Sequence, residues 1–127
     1  MYNINKEKEY LLVKLHNDFN YPLVKTIIHH ETALEDYRNK NDIWLVGEHH
    51  ADIRLSELEN MVKEFEQHCP AEAKRRKTAV VIRPGLTHAI FELWAKALRK
   101  RVTFEIELFQ TLEEAQHWME TPEEQVA

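Results

Sequence analysis

The sequence predicts an α/β fold: a five-stranded mixed β-sheet with about four helices, in the order β-β-α-β-α-β-α-β-α. Short runs rich in β-branched and aliphatic residues recur along the chain, and between them lie longer segments with three- and four-residue apolar spacing. The spacing Ser/Thr-x-x-Glu, in which a hydroxyl and a carboxylate each satisfy a free backbone N–H at a helix start, occurs at Thr32–Glu35, Ser56–Glu59 and Thr111–Glu114. Strands alternating with single helices pair in parallel through crossovers, here after an antiparallel first pair. A chain of 127 residues with 43% apolar residues supports one core and excludes a second full domain.

Taken in order, Tyr10–Leu15 (YLLVKL) and Leu23–Ile28 (LVKTII) are aliphatic runs separated by the turn-forming stretch Asn17–Pro22, and together predict a hairpin. The Thr32–Glu35 spacing predicts a short helix to about Asn39. Ile43–Val46 (IWLV) reads as a third, fully buried strand. Ser56 is then the expected cap of an amphipathic helix with the apolar stripe Leu58, Met61, Val62, Phe65 and Cys69. Ala79–Ile82 (AVVI) is a fourth buried strand, stopped by Arg83-Pro84-Gly85, and Leu86, Ile90, Leu93, Trp94, Ala97 and Leu98 mark the next helix. In Thr103–Phe109 the apolar residues Phe104, Ile106 and Leu108 alternate with Glu105 and Glu107, the pattern of an edge strand with one wet face. Thr111–Glu114 opens a last helix that buries Leu112, Ala115, Trp118 and Met119. Residues 1–121 form the expected single domain, and 122–127 an acidic tail.

Several function classes lack support in the composition. No run approaches the roughly 18 apolar residues of a membrane span, and Met1–Lys8 lacks the apolar stretch of a signal peptide, so a cytoplasmic location is expected. The single cysteine, Cys69, cannot form an internal disulfide or a thiolate zinc site, and beside Pro70 at a helix C-terminus the dipole disfavours a nucleophilic thiolate. With two glycines in the chain there is no phosphate-binding loop, dinucleotide fingerprint or nucleophile elbow. No cofactor is expected, and a non-catalytic role is favoured. The net charge of −5 is segregated: residues 1–71 sum to −5, residues 72–101 to +7 and residues 102–127 to −7. The basic block, with Lys74–Lys77 and Lys96–Arg101, reads as dipole-complementing helix ends and a charged turn before a buried strand. No aromatic or glycine-rich recognition motif is interleaved with it, so nucleic acid is not an expected partner.

Ligands of open α/β sheets bind beyond the carboxyl ends of the strands. Four segments are predicted to leave the sheet there: His29-His30, Gly47-Glu48-His49-His50, Arg83-Pro84-Gly85 with Thr87 and His88, and Gln110. Five of the eight histidines fall in this set. The preferred ligand-binding residues are Glu48, His49, His50, Arg83, Thr87 and His88, with Arg83, the Gly85 turn and the following helix N-terminus holding a carboxylate or phosphate. The plainer reading of Arg83 is an ion pair with Glu48. A transition-metal site or metal-dependent enzyme built from His29, His30, Glu48, His49 and His50 is the alternative, against which stands the rule that adjacent strand residues point to opposite faces. Trp94 and Phe91 read as packing residues, or else as an exposed patch for a partner.

The segments Ile43–Val46, Lys77–Ile82, Ala89-Ile90-Phe91-Glu92 and Phe104–Phe109, followed by Glu113-Glu114-Ala115-Gln116-His117-Trp118, together resemble the small SpoIIAA-like members of the STAS (STAS/SEC14-type) superfamily. The resemblance spans about Glu9 to Met119 and is most distinctive at the C-terminal segment. It implies a SpoIIAA-like fold and a regulatory module that binds a protein partner, or a small anionic or apolar ligand, without catalysis. In the anti-sigma-factor antagonists of that superfamily a serine at the start of the helix after the third strand is phosphorylated, which would correspond to Ser56. The family's Asp-Ser-Ser-Gly-type sequence is absent around it. A homodimer through the edge strand Thr103–Phe109 or through an exposed helix face is a further expectation, because an uncovered edge invites pairing.

Overall fold

A computed structural model describes residues 1–38, 40–68, 77–101 and 105–120. The chain opens with a strand, Tyr2–Lys6 (β1), in which Tyr2 and Ile4 pack on the core and Asn3 and Asn5 share the other face. It pairs antiparallel with Tyr10–Leu15 (β2). The predicted partner of that hairpin, Leu23–Ile28, is helical instead: Phe19–Asn20 (β3) leads directly into Tyr21–Thr32 (α1). The Asn20 side chain accepts from the Leu23 N–H at 3.1 Å, and Pro22 stands in the first turn, where its missing donor costs nothing. Val24, Ile27, Ile28 and Glu31 then make the buried stripe at helical spacing.

Thr32 ends α1, with its hydroxyl bonded back to the Ile28 carbonyl at 2.7 Å. The predicted helix from Thr32 is reduced to a single 3₁₀ turn, Glu35–Arg38, and Asn39 lies outside the described residues. There follow Asn41–Gly47 (β4), Ala51–Asp52 (β5), Leu55–His68 (α2), Lys77–Ile82 (β6), Leu86–Arg99 (α3), Glu105–Phe109 (β7) and Leu112–Glu120 (α4). Cys69, the charged turn Lys74–Arg76, residues 102–104 and the tail 122–127 also fall outside the described residues.

The main sheet is five-stranded and mixed, ordered β1-β2-β4-β6-β7, parallel except at β1–β2. The predicted fold class, strand number and element order therefore hold, with β1 standing where Leu23–Ile28 was expected. Alternate strand residues face two apolar layers. Val13, Trp44, Val46, Val80, Ile82 and Ile106 meet α1, α2 and α3, while Leu12, Ile43, Ala79 and Val81 meet α4. Phe65 sits against Trp94 edge-on, and Phe91 against both Phe19 and Trp94. Phe91 and Trp94 are buried, so the exposed-patch reading of this pair does not hold; Leu86 and Leu93, expected on the apolar stripe, are the exposed ones.

The caps were partly legible. Thr111 and Glu114 form the complete reciprocal pair, each accepting the other's backbone N–H at 3.2 Å. Ser56 does not cap α2: the helix starts at Leu55, and the Glu57 carboxylate accepts from the Arg54 N–H at 2.9 Å in its place. Ser56 is left exposed in the first turn. At the ends of α3, Arg99 and Arg101 engage Glu107 and Glu59 at 3.1 and 2.8 Å. No helix of the described residues is long and apolar enough to cross a membrane.

Candidate functional site

At the carboxyl edge the loops after β2, β4 and β6 are stitched into one surface. β3 and β5 pair in parallel there as a separate two-stranded sheet. The Phe19 N–H donates to the His50 carbonyl, the His50 N–H to the Asp18 carboxylate (both 2.9 Å), and the Arg83 N–H to the Gly47 carbonyl at 3.1 Å. Both glycines of the chain lie in these loops, each with positive φ, 63° at Gly47 and 148° at Gly85. An L side chain rarely adopts such angles, so the two glycines set the turns that shape this edge.

A small cleft, about 50 Å³, lies between Gly47–His50 and Ile82–Thr87. Of the six preferred binding residues, Glu48, His49, His50, Arg83 and Thr87 line it. Glu48 and Arg83 are bonded to each other at 2.8 Å, both largely exposed. This is the ion pair of the plainer reading, and a surface pair of this kind is worth only about 0–1 kcal/mol, so an incoming anion can displace it. The Thr87 hydroxyl is buried and accepts from the Ala51 N–H at 3.2 Å, which makes Thr87 a brace between loops. His88 turns away, lying 3.8 Å from Glu92 on its own helix. The α3 N-terminus beside the cleft has Gly85 as its cap, with no side-chain hydrogen bond to its first amides. Those amides favour an anionic partner.

His29 and His30 are not part of this edge. Because Tyr21–Thr32 is a helix with His29 and His30 in its last turn, it carries them about 12–14 Å along the sheet and away from Gly47–His50. The metal set His29, His30, Glu48, His49 and His50 therefore does not converge. His30 Nδ1 meets the Tyr2 hydroxyl at 2.9 Å, and His29 Nε2 meets the Glu64 carboxylate at 2.8 Å, next to His68. Glu64 and His68 were missed in the sequence, although their four-residue spacing on one helix was visible there. His16, following β2, does lie at the carboxyl edge, where its backbone N–H bonds the Met1 carbonyl.

The same edge carries exposed apolar groups. Among the described residues the large exposed apolar side chains are Met1, Leu55, Leu86 and Leu93; Leu55 and Leu86 are the first residues of α2 and α3, and Met1 precedes β1 opposite the end of β2. Comparison with protein-family models, curated proteins and solved structures returns no match.

Proposed function

We propose that the chain is a non-catalytic regulatory module of the SpoIIAA-like type, and that it binds a protein partner through the carboxyl edge of its sheet. The observation that carries this reading is the joint presence, on one braced surface, of a small anion-sized cleft and the exposed Leu55, Leu86 and Met1. Sites for organic ligands are typically about 300–1,000 Å³. A cleft of about 50 Å³ has room for a carboxylate or phosphoryl group and little more. Such a group projecting from a partner would compete with Glu48 for Arg83 and meet the α3 amides, while the leucines supply apolar contact.

The test is site-specific photocrosslinking in the producing cells. A crosslinker at Leu86 should capture one partner that a crosslinker at Leu93, on the outer face of α3, does not, and Arg83→Glu should abolish the capture. Equal capture at both positions, or capture indifferent to Arg83→Glu, would contradict the proposal.

A second reading, a phosphorylation-controlled antagonist, is supported by the exposure of Ser56 at the same edge and by its freedom from a capping role. A phosphoryl group there gains from the α2 dipole but is opposed by Glu57 and Glu59. Intact-mass measurement of the protein from its own cells decides this: an addition of one phosphate at Ser56 supports the antagonist, and an unmodified chain under all growth conditions sinks it.

A further inference from the structure

We propose that His29, Glu64 and His68 form a transition-metal site, of a kind suited to zinc, bridging α1 and α2. Glu64 and His68 are one turn apart on α2 and so share a face, and His29 comes from the end of the neighbouring helix α1. Both imidazoles address the same oxygen: His29 Nε2 lies 2.8 Å and His68 Nε2 3.7 Å from Glu64 Oε2, with the two rings 4.2 Å apart. One ligating atom from each residue lies within 4.8 Å of the others. Zinc–nitrogen and zinc–oxygen bonds of about 2.0–2.2 Å in a tetrahedron put neighbouring ligand atoms about 3.3 Å apart. The ligand atoms, all within 4.8 Å of one another, therefore have to close by at most about 1.5 Å.

The chemistry favours a cation over hydrogen bonding alone. Two ring nitrogens gathered on one carboxylate oxygen are a donor set that a divalent ion engages together. The other carboxylate oxygen, Oε1, lies 3.9 Å from Lys25 Nζ, an outer contact that orients Glu64. Two nitrogens and one carboxylate oxygen suit zinc, nickel or copper and not magnesium or calcium. His29 is 47% exposed at its side chain, so a fourth position faces water. A site of this kind joins two neighbouring helices that pack on the same apolar layer, and it is separate from the carboxyl-edge cleft.

Titration of the full chain, stripped of metal, with zinc, and with cobalt as an optical probe, tests the site. One equivalent should bind, cobalt should give the visible absorption of a four-coordinate ion, and zinc should raise Tm. His29→Ala and Glu64→Gln should each weaken zinc binding about tenfold or more, since even removal of outer-shell partners has effects of that size. His50→Ala should leave it unchanged. In the unsubstituted chain, zinc should shift the ring resonances of His29 and His68 in the NMR spectrum. The absence of saturable one-equivalent binding, or shifts confined to His49 and His50, would overturn the site.

Discussion

Gly47 shows how a single residue governs the candidate edge. Its φ of 63° is left-handed, it ends β4 where the register with β6 shifts, and its carbonyl receives the Arg83 N–H. A Cβ placed there meets nothing within 4 Å, so the cost of Gly47→Ala is backbone strain alone, about 1–2 kcal/mol. Urea denaturation should show that loss of stability, and Gly47→Asn, whose short polar side chain tolerates the left-handed region, should lose less. The buried Asp42 works differently. It accepts from the Thr78 hydroxyl at 2.6 Å and from the Trp44 ring N–H at 3.2 Å, tying β4 to β6 on the sheet face that Trp44 and Val80 share. A buried carboxylate is tolerable only with such donors around it. Neither role was visible in the sequence, where glycine count and charge count are totals; the left-handed angle and the donors come from neighbours distant along the chain.

At the scale of elements, α1 and α2 form the most informative pair. Lys25 and His29 on α1 face Glu64 on α2, and Tyr21 at the start of α1 senses the same carboxylate. Burial pushes the Tyr21 phenol above its ordinary value of 10.0, with the charges of Glu64 and then Glu57 adding to the rise. Since the folded state disfavours the phenolate, this contribution to stability is present below the ordinary phenol range and is lost as pH rises through the raised value. Phenolate absorbance, taken as the difference between the chain and Tyr21→Phe, should therefore titrate later than a free tyrosine. Glu64→Gln should bring it earlier without restoring the ordinary value, because burial remains the larger cause. The helix reads as a strand over Leu23–Ile28 in the sequence, since a run of five β-branched or aliphatic residues around Lys25 fits either period. The discriminating signals lay outside that run, in Asn20, Pro22 and the stripe Val24, Ile27, Ile28, Glu31, whose last member is a buried acid and breaks the apolar pattern. β1 was missed for the converse reason: its alternation is carried by Tyr2 and Ile4 alone, against asparagines that disfavour strands.

For the whole molecule, the two outer strands determine how it can associate. β1 and β7 are the sheet edges. Arg99, from the last turn of α3, reaches over β7 and donates two N–H groups to the Ile106 carbonyl, at 3.0 and 2.6 Å, while its guanidinium also meets Glu107. A charged side chain laid over an edge strand blunts it as a template for another chain. Edge-to-edge pairing through β7 is the homodimer route that the sequence suggests, and Arg99→Ala is expected to favour it: sedimentation equilibrium should show stronger self-association for the variant than for the unsubstituted chain. Part of the basic block does internal work, with Arg99 on β7 and Arg101 on Glu59.

The amino-acid sequence by itself determined the layer architecture, because apolar periodicity and cap spacing are local and act within a few residues: the β4, β6 and β7 strands, the α2, α3 and α4 helices and their order all follow from it. It also pointed to Gly47–His50 and Arg83–Thr87, since the ends of parallel strands converge by topology. Tertiary structure alone decided which polar groups meet. Whether Arg83 faces Glu48, whether Thr87 braces Ala51, and whether His29 travels with Glu64 and His68 depend on the length and direction of one helix and on side chains that are 35 to 39 residues apart. Such contacts are set by packing between elements, which leaves no period in the sequence to read.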